Sequence, residues 1–129
     1  MERLFLIVSG VYGFLAVALG AFGAHGLQRF FDRVEDGARR AEWWATATQY
    51  HLVHAVALGV VAWVATRVPG AAAAVAGWGF VLGVLLFSGS LYAMALTGTR
   101  WLGMVTPFGG LCMLVGWVAL ALAAGRGWG

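Results

Sequence analysis

Four long stretches of the chain are almost wholly apolar, and short polar or turn-forming segments separate them. The first covers residues 4–24, interrupted by Ser9 and Tyr12; the others cover 45–66, 71–96 and 107–124. Each lies near the ~20 residues that a helix needs to cross a bilayer. None alternates with the two-residue period of a barrel strand, so helices remain the way to satisfy the backbone in lipid. The pattern predicts an all-α integral membrane protein, a four-helix bundle of up-down topology, forming a single transmembrane domain over residues 1–129.

The separators set the connections. Arg67-Val68-Pro69-Gly70 reads as a tight turn, because proline fixes φ and glycine permits the reversal. Residues 97–101 turn the chain back again, and Thr106-Pro107 has the form of a helix start, Thr as N-cap with Pro in the first turn. Residues 28–44 are different in kind: Arg29, Asp32, Arg33, Glu35, Asp36, Arg39, Arg40 and Glu42 alternate in sign, with Phe30, Phe31 and Val34 among them. This polar segment reads either as a short amphipathic helix lying along the membrane surface or as a solvated loop, since Gly37 interrupts the pattern. Trp43 and Trp44 at its end are of the type that settles at headgroup level.

Small residues recur at helical spacing: Gly13, Ala16, Gly20 and Ala24 in the first span, the last three of them four apart, Ala55 and Gly59 in the second, and Gly79 and Gly83 as a GxxxG in the third. Such stripes let a neighbouring helix approach closely, and they are expected to be packing surfaces.

Composition agrees with a membrane class, 62% hydrophobic against 10% charged. The net charge of +3 comes from eight arginines and no lysine. Half of those arginines lie beside acids in residues 28–44, so no basic patch for nucleic acid remains. All five acids, Glu2, Asp32, Glu35, Asp36 and Glu42, fall outside the spans. That argues against carboxylate-driven proton or cation transport. The N-terminal run continues past Ala16-Val17-Ala18, a small-x-small sequence, to Ala24, and is expected to be a span and not a cleaved leader.

Four spans put both termini and the 67–70 turn on one side, and segments 28–44 and 97–101 on the other. Most polar side chains of the helices then fall toward the second side: His25 ends the first span, Gln49, Tyr50, His51 and His54 begin the second, Ser88, Ser90, Tyr92 and Thr97 end the third, and Arg100 and Thr106 lead into the fourth. Polar groups in membrane helices are costly and tend to face the interior and pair. These residues therefore form a candidate polar pocket. No cofactor is predicted, although His25, His51 and His54 are residue types that can hold a metal or haem. Arg100 could attract an anionic lipid headgroup. Five arginines on the loop side against three on the terminal side place segments 28–44 and 97–101 in the cytoplasm and both termini outside.

The motifs Gly20-Ala21-Phe22-Gly23-Ala24-His25-Gly26-Leu27, Gln49-Tyr50-His51-Leu52-Val53-His54, Phe87-Ser88-Gly89-Ser90-Leu91-Tyr92 and Thr106-Pro107-Phe108-Gly109-Gly110, in that order, resemble domain-of-unknown-function family 423. The resemblance implies a small four-helix protein of the bacterial inner membrane, related to small animal transmembrane proteins, with no established activity to transfer. No Ser/His/Asp order, HExxH or phosphate-binding loop is found. The expected function is structural or accessory, in contact with the lipid bilayer and with another membrane protein or a second copy of the chain. The alternative is a binder of a metal, haem, lipid or small ligand at the polar pocket.

Overall fold

The structure, a computed structural model, describes residues 1–127. It is all helical: α1 is Glu2–His25, α2 Gln28–Arg33, α3 Gly37–Arg67, α4 Ala71–Thr97 and α5 Thr106–Gly127, with a 3-10 turn at Arg100–Met104 before α5. The all-α membrane bundle expected from the apolar pattern is the observed architecture, and four helices are long and apolar enough to cross a membrane.

α3 and α4 form the central pair. α1 packs along α3 and α5 along α4, while α1 and α5 share no packed interface. The core is therefore continuous but the bundle is open along one edge. Phe5, the one large apolar side chain of α1 that is fully buried, reaches the core cluster of Leu58, Val61 and Phe80. Its ring occupies the space a side chain at Gly77 would need, and the ring of Phe80 does the same at Gly116.

Lipid is as apolar as these side chains, so burial alone does not drive helix to helix; close packing and interhelical hydrogen bonds do. Both are present at every seam. Ser9 donates to the carbonyl of Ala55 at 2.7 Å, Tyr12 to Val81 at 3.0 Å, Trp44 to Leu19 at 2.8 Å and Ser88 to Ala47 at 2.8 Å. Each of these bonds joins a side chain of one helix to the backbone of another.

The polar segment 28–44 is neither one surface helix nor a loop. Its first part is the short α2, whose Phe31 is buried, and its second part is the first two turns of α3. Gly37 begins that helix. A side chain there would collide with the backbone carbonyl of Phe31, so the glycine is what lets α2 fold back against the start of α3. At 31 residues, or about 46 Å by the helix rise, α3 exceeds the ~30 Å hydrocarbon core. Its charged first turns protrude into water. Asp36 binds Arg40 one turn on at 2.9 Å, and the Arg40 guanidinium lies against Gly98, the left-handed residue that closes α4. A cation at a helix C-terminus is favourably placed against its dipole.

A histidine and aromatic network at the polar end

α3 carries both buried histidines, and the helix turns them toward different neighbours. His51 Nδ1 lies 2.9 Å from the Tyr92 hydroxyl of α4, with Tyr12 of α1 edge-on to the imidazole at a centroid distance of 5.4 Å. Tyr92 packs in turn against Trp44 with the rings tilted, centroids 4.7 Å apart. This first group ties α1, α3 and α4 together.

His54 joins a second group. Its Nδ1 bonds the carbonyl of Tyr50 at 2.7 Å, and its Nε2 accepts from the indole N–H of Trp117 in α5 at 3.0 Å. A carbonyl only accepts and an indole only donates. The imidazole is therefore held as the neutral tautomer with its proton on Nδ1, and the pair links α5 to α3 across the core. Phe80 and Trp117 pack their rings on it at 5.3 and 5.8 Å.

The remaining residues expected at a shared pocket are partly assembled. Ser90 and Thr106 share a hydrogen bond of 2.6 Å that fixes the start of α5 against α4. Thr106 thus spends its hydroxyl on a neighbouring helix, with a second contact to the Leu102 carbonyl at 3.4 Å. Ser88 is fully buried and bonds α3. Thr97 turns back onto the carbonyl of Ala93. Arg100 is 62% exposed and sits 3.9 Å from Asp36. Tyr50 and Gln49 are exposed, and so is His25 at the end of α1. Tyr50 lines an apolar groove of about 450 Å³ with His54, Phe87, Pro107 and Trp117.

The three histidines of the candidate pocket take separate positions. Although three residues apart, His51 and His54 face different helices, and both ring nitrogens of His54 are already engaged. Among the described residues no three His, Cys, Asp or Glu side chains group as metal ligands. As placed, His25, His51 and His54 do not form one three-ligand metal group.

Three members of the network are not among the residues that the sequence assigns to the polar pocket. Tyr12 sits mid-span, yet it is long enough to reach His51 and α4. Trp44 is buried to 5% exposure, turned inward against α1; its ring fills the space beside Gly23. Trp117 lies in the middle of its helix, away from either interface. That position is itself a signal, because an indole N–H in lipid requires a partner.

The fold and this network define a class: a small four-span membrane protein whose interior polar groups are paired with one another. The comparisons with known proteins give the family. The chain matches the model of the protein family of unknown function DUF423 over residues 19–110 and belongs to it. It is 40% identical to the UPF0382 membrane protein YwdK of Bacillus subtilis, over 95% of this chain and 96% of the relative. It is 39% identical to the UPF0382 inner membrane protein YgdD of Escherichia coli, over 97% and 92%. A UPF0382 membrane protein of Haemophilus influenzae is 38% identical over 94% and 93%. No solved structure matches the chain. The protein is thus a multi-pass protein of the inner membrane.

Proposed function

We propose that the protein is a non-enzymatic accessory component of the inner membrane that acts by associating with another membrane protein. One observation carries this reading. The buried polar side chains of the spans are consumed by bonds inside the molecule: His51 on Tyr92, His54 on Tyr50 and Trp117, Ser88 on Ala47, Ser90 on Thr106. A catalytic acid, base or nucleophile has to reach a substrate proton or carbon within about 3 Å. These groups reach one another instead, and their chemistry is that of helix attachment. The arginine balance supports an orientation with α2 and the 3-10 turn in the cytoplasm.

Photoreactive residues placed in living cells at Phe14 on α1, Met104 on the 3-10 turn and Leu114 on α5, all strongly exposed, test the association. A discrete adduct to one other membrane protein, retained when His51 is replaced by Gln, is the expected result. Lipid adducts alone at all three positions, or adducts only between copies of this chain, would overturn it. So would a turnover by the purified protein that His51→Gln abolishes.

A further inference from the structure

The polar ends of α1 and α3 do not close on each other. Between them, with α2 as the floor, lies a groove of about 380 Å³, inside the size range of small-molecule sites, about 300–1,000 Å³. Its walls are Gly20 and Ala24 on α1 and Ala41 and Ala45 on α3, with the Trp44 ring behind them. Three features keep it open. Gly23 gives its space to the Trp44 indole, Gly37 lets α2 fold under the groove, and a side chain built at Gly20 meets no atom within 4 Å.

The groove sits where the first span ends and α3 enters the membrane, so its depth is that of lipid headgroups and the first carbons of their chains. Its polar lining is one-sided. Gln28, Asp32 and Thr48 line it, and no arginine does, in a chain of net charge +3. Asp36 is bound by Arg40 and Arg100, whereas Asp32 makes no ion pair among the described residues. The Thr48 hydroxyl donates to the Ala45 carbonyl at 3.0 Å, which leaves acceptor lone pairs for any further partner. A carboxylate, a hydroxyl oxygen and a carboxamide oxygen present acceptors to a slot with apolar walls. The matching group is a cation with N–H donors at the head of an apolar chain. An ammonium has three such donors; its trimethylated form has none. Arg29 and Arg33 flank Asp32 on α2 and supply positive charge for an adjoining phosphodiester.

We propose that this groove binds a phospholipid with a primary-ammonium headgroup, Asp32 taking the ammonium and the Gly20–Ala24 wall the start of an acyl chain. The site is independent of the association proposed above and does not require it.

The test uses the full-length protein in mixed micelles holding equal amounts of phosphatidylethanolamine, phosphatidylcholine and phosphatidylglycerol with identical chains, and counts retained lipid by native mass spectrometry. Retention of phosphatidylethanolamine about tenfold above phosphatidylcholine is expected, the ratio that one charge-assisted hydrogen bond supports. Asp32→Asn should bring the two to parity. Gly20→Leu places a side chain in the groove at a position where an added Cβ meets no atom within 4 Å, so it should lower retention while leaving helicity unchanged. Equal retention of the ethanolamine and choline lipids by the native protein overturns the proposal, as does stronger retention of phosphatidylglycerol. Displacement by chain-free glycerophosphoethanolamine at equal concentration overturns the lipid as the ligand, because the apolar wall would then contribute nothing.

Discussion

His54 shows most directly what a histidine does in this membrane protein. Its two nitrogens hold a backbone carbonyl 2.7 Å away and an indole N–H 3.0 Å away, and no lone pair is left for a ligand. Removing it leaves the Trp117 N–H without its hydrogen-bond partner. Hydrogen bonds between membrane helices are worth about 0.6 kcal/mol on average, with a maximum near 1.7, and this pair, enclosed by Phe80, belongs toward the upper end. We expect His54→Ala and Trp117→Phe each to destabilise the protein. The pair should be non-additive by about 1–1.5 kcal/mol in a double-mutant cycle read by denaturant unfolding in micelles. Strict additivity would show that the contact contributes nothing. The sequence made His51 and His54 legible as polar groups too deep to be idle, but not their partners. Spacing of three residues suggests one face, yet the two side chains lie about 60° apart around the helix, enough to send one toward Tyr92 and the other toward Trp117. Which distant residue meets each is a property of helix packing, and no local pattern carries it.

At the scale of helices, glycine stripes that look alike in sequence are used in opposite ways. The GxxxG of α4 is consumed. A side chain at Gly79 would press on the Cys112 carbonyl and Gly116 of α5, and one at Gly83 on Met113. From the other side, Gly109 receives the backbone of Phe87. Along α3, Ala55 is buried and Gly59 approaches Ser9. The stripe of α1 divides: Ala16 is buried, Ala24 is exposed, and Gly13 and Gly20 have nothing within reach of an added carbon. Gly79→Ala and Gly109→Ala should therefore each lower stability by about 1–3 kcal/mol through overpacking. Gly13→Ala should be neutral or raise stability by up to about 1 kcal/mol, since alanine is the better helix former and meets no neighbour. Thermal unfolding in one detergent compares all three; equal losses would mean that α1 is packed against something its neighbours do not supply. The spacing identified surfaces capable of close approach. It did not distinguish a seam already closed from one left open, because that depends on which helices become neighbours. The charged segment is a similar case. Gly37 reads as a helix breaker from propensity, yet it starts α3 because Phe31 leaves room for nothing larger.

Over the whole molecule, the apolar pattern was enough to give four spanning helices with both termini on one side, while the open edge between α1 and α5 was not legible at all. The orientation we propose rests on arginine placement. Arg29, Arg33, Arg39, Arg40 and Arg100 belong to α2, the start of α3 and the 3-10 turn; Arg3, Arg67 and Arg126 belong to the opposite end. Acids count little in this rule, so the ion pairs of Asp36 with Arg40 and Arg100 do not cancel the bias. A C-terminal fusion to a reporter active only outside the cytoplasm should be active, and a cytoplasmic reporter at the same end silent. The bias is small, five arginines against three, which gives a sharper expectation. Replacing Arg33 and Arg39 by Gln equalises the two sides without disturbing Arg40, whose guanidinium lies on Gly98. That variant should insert in both orientations and light both reporters. If it keeps a single orientation, something other than the arginines sets the topology, such as the apolar content of α1 as it enters the membrane. If the parent protein itself lights the cytoplasmic reporter, α2 and the headgroup groove beside it face the outer leaflet of the same membrane.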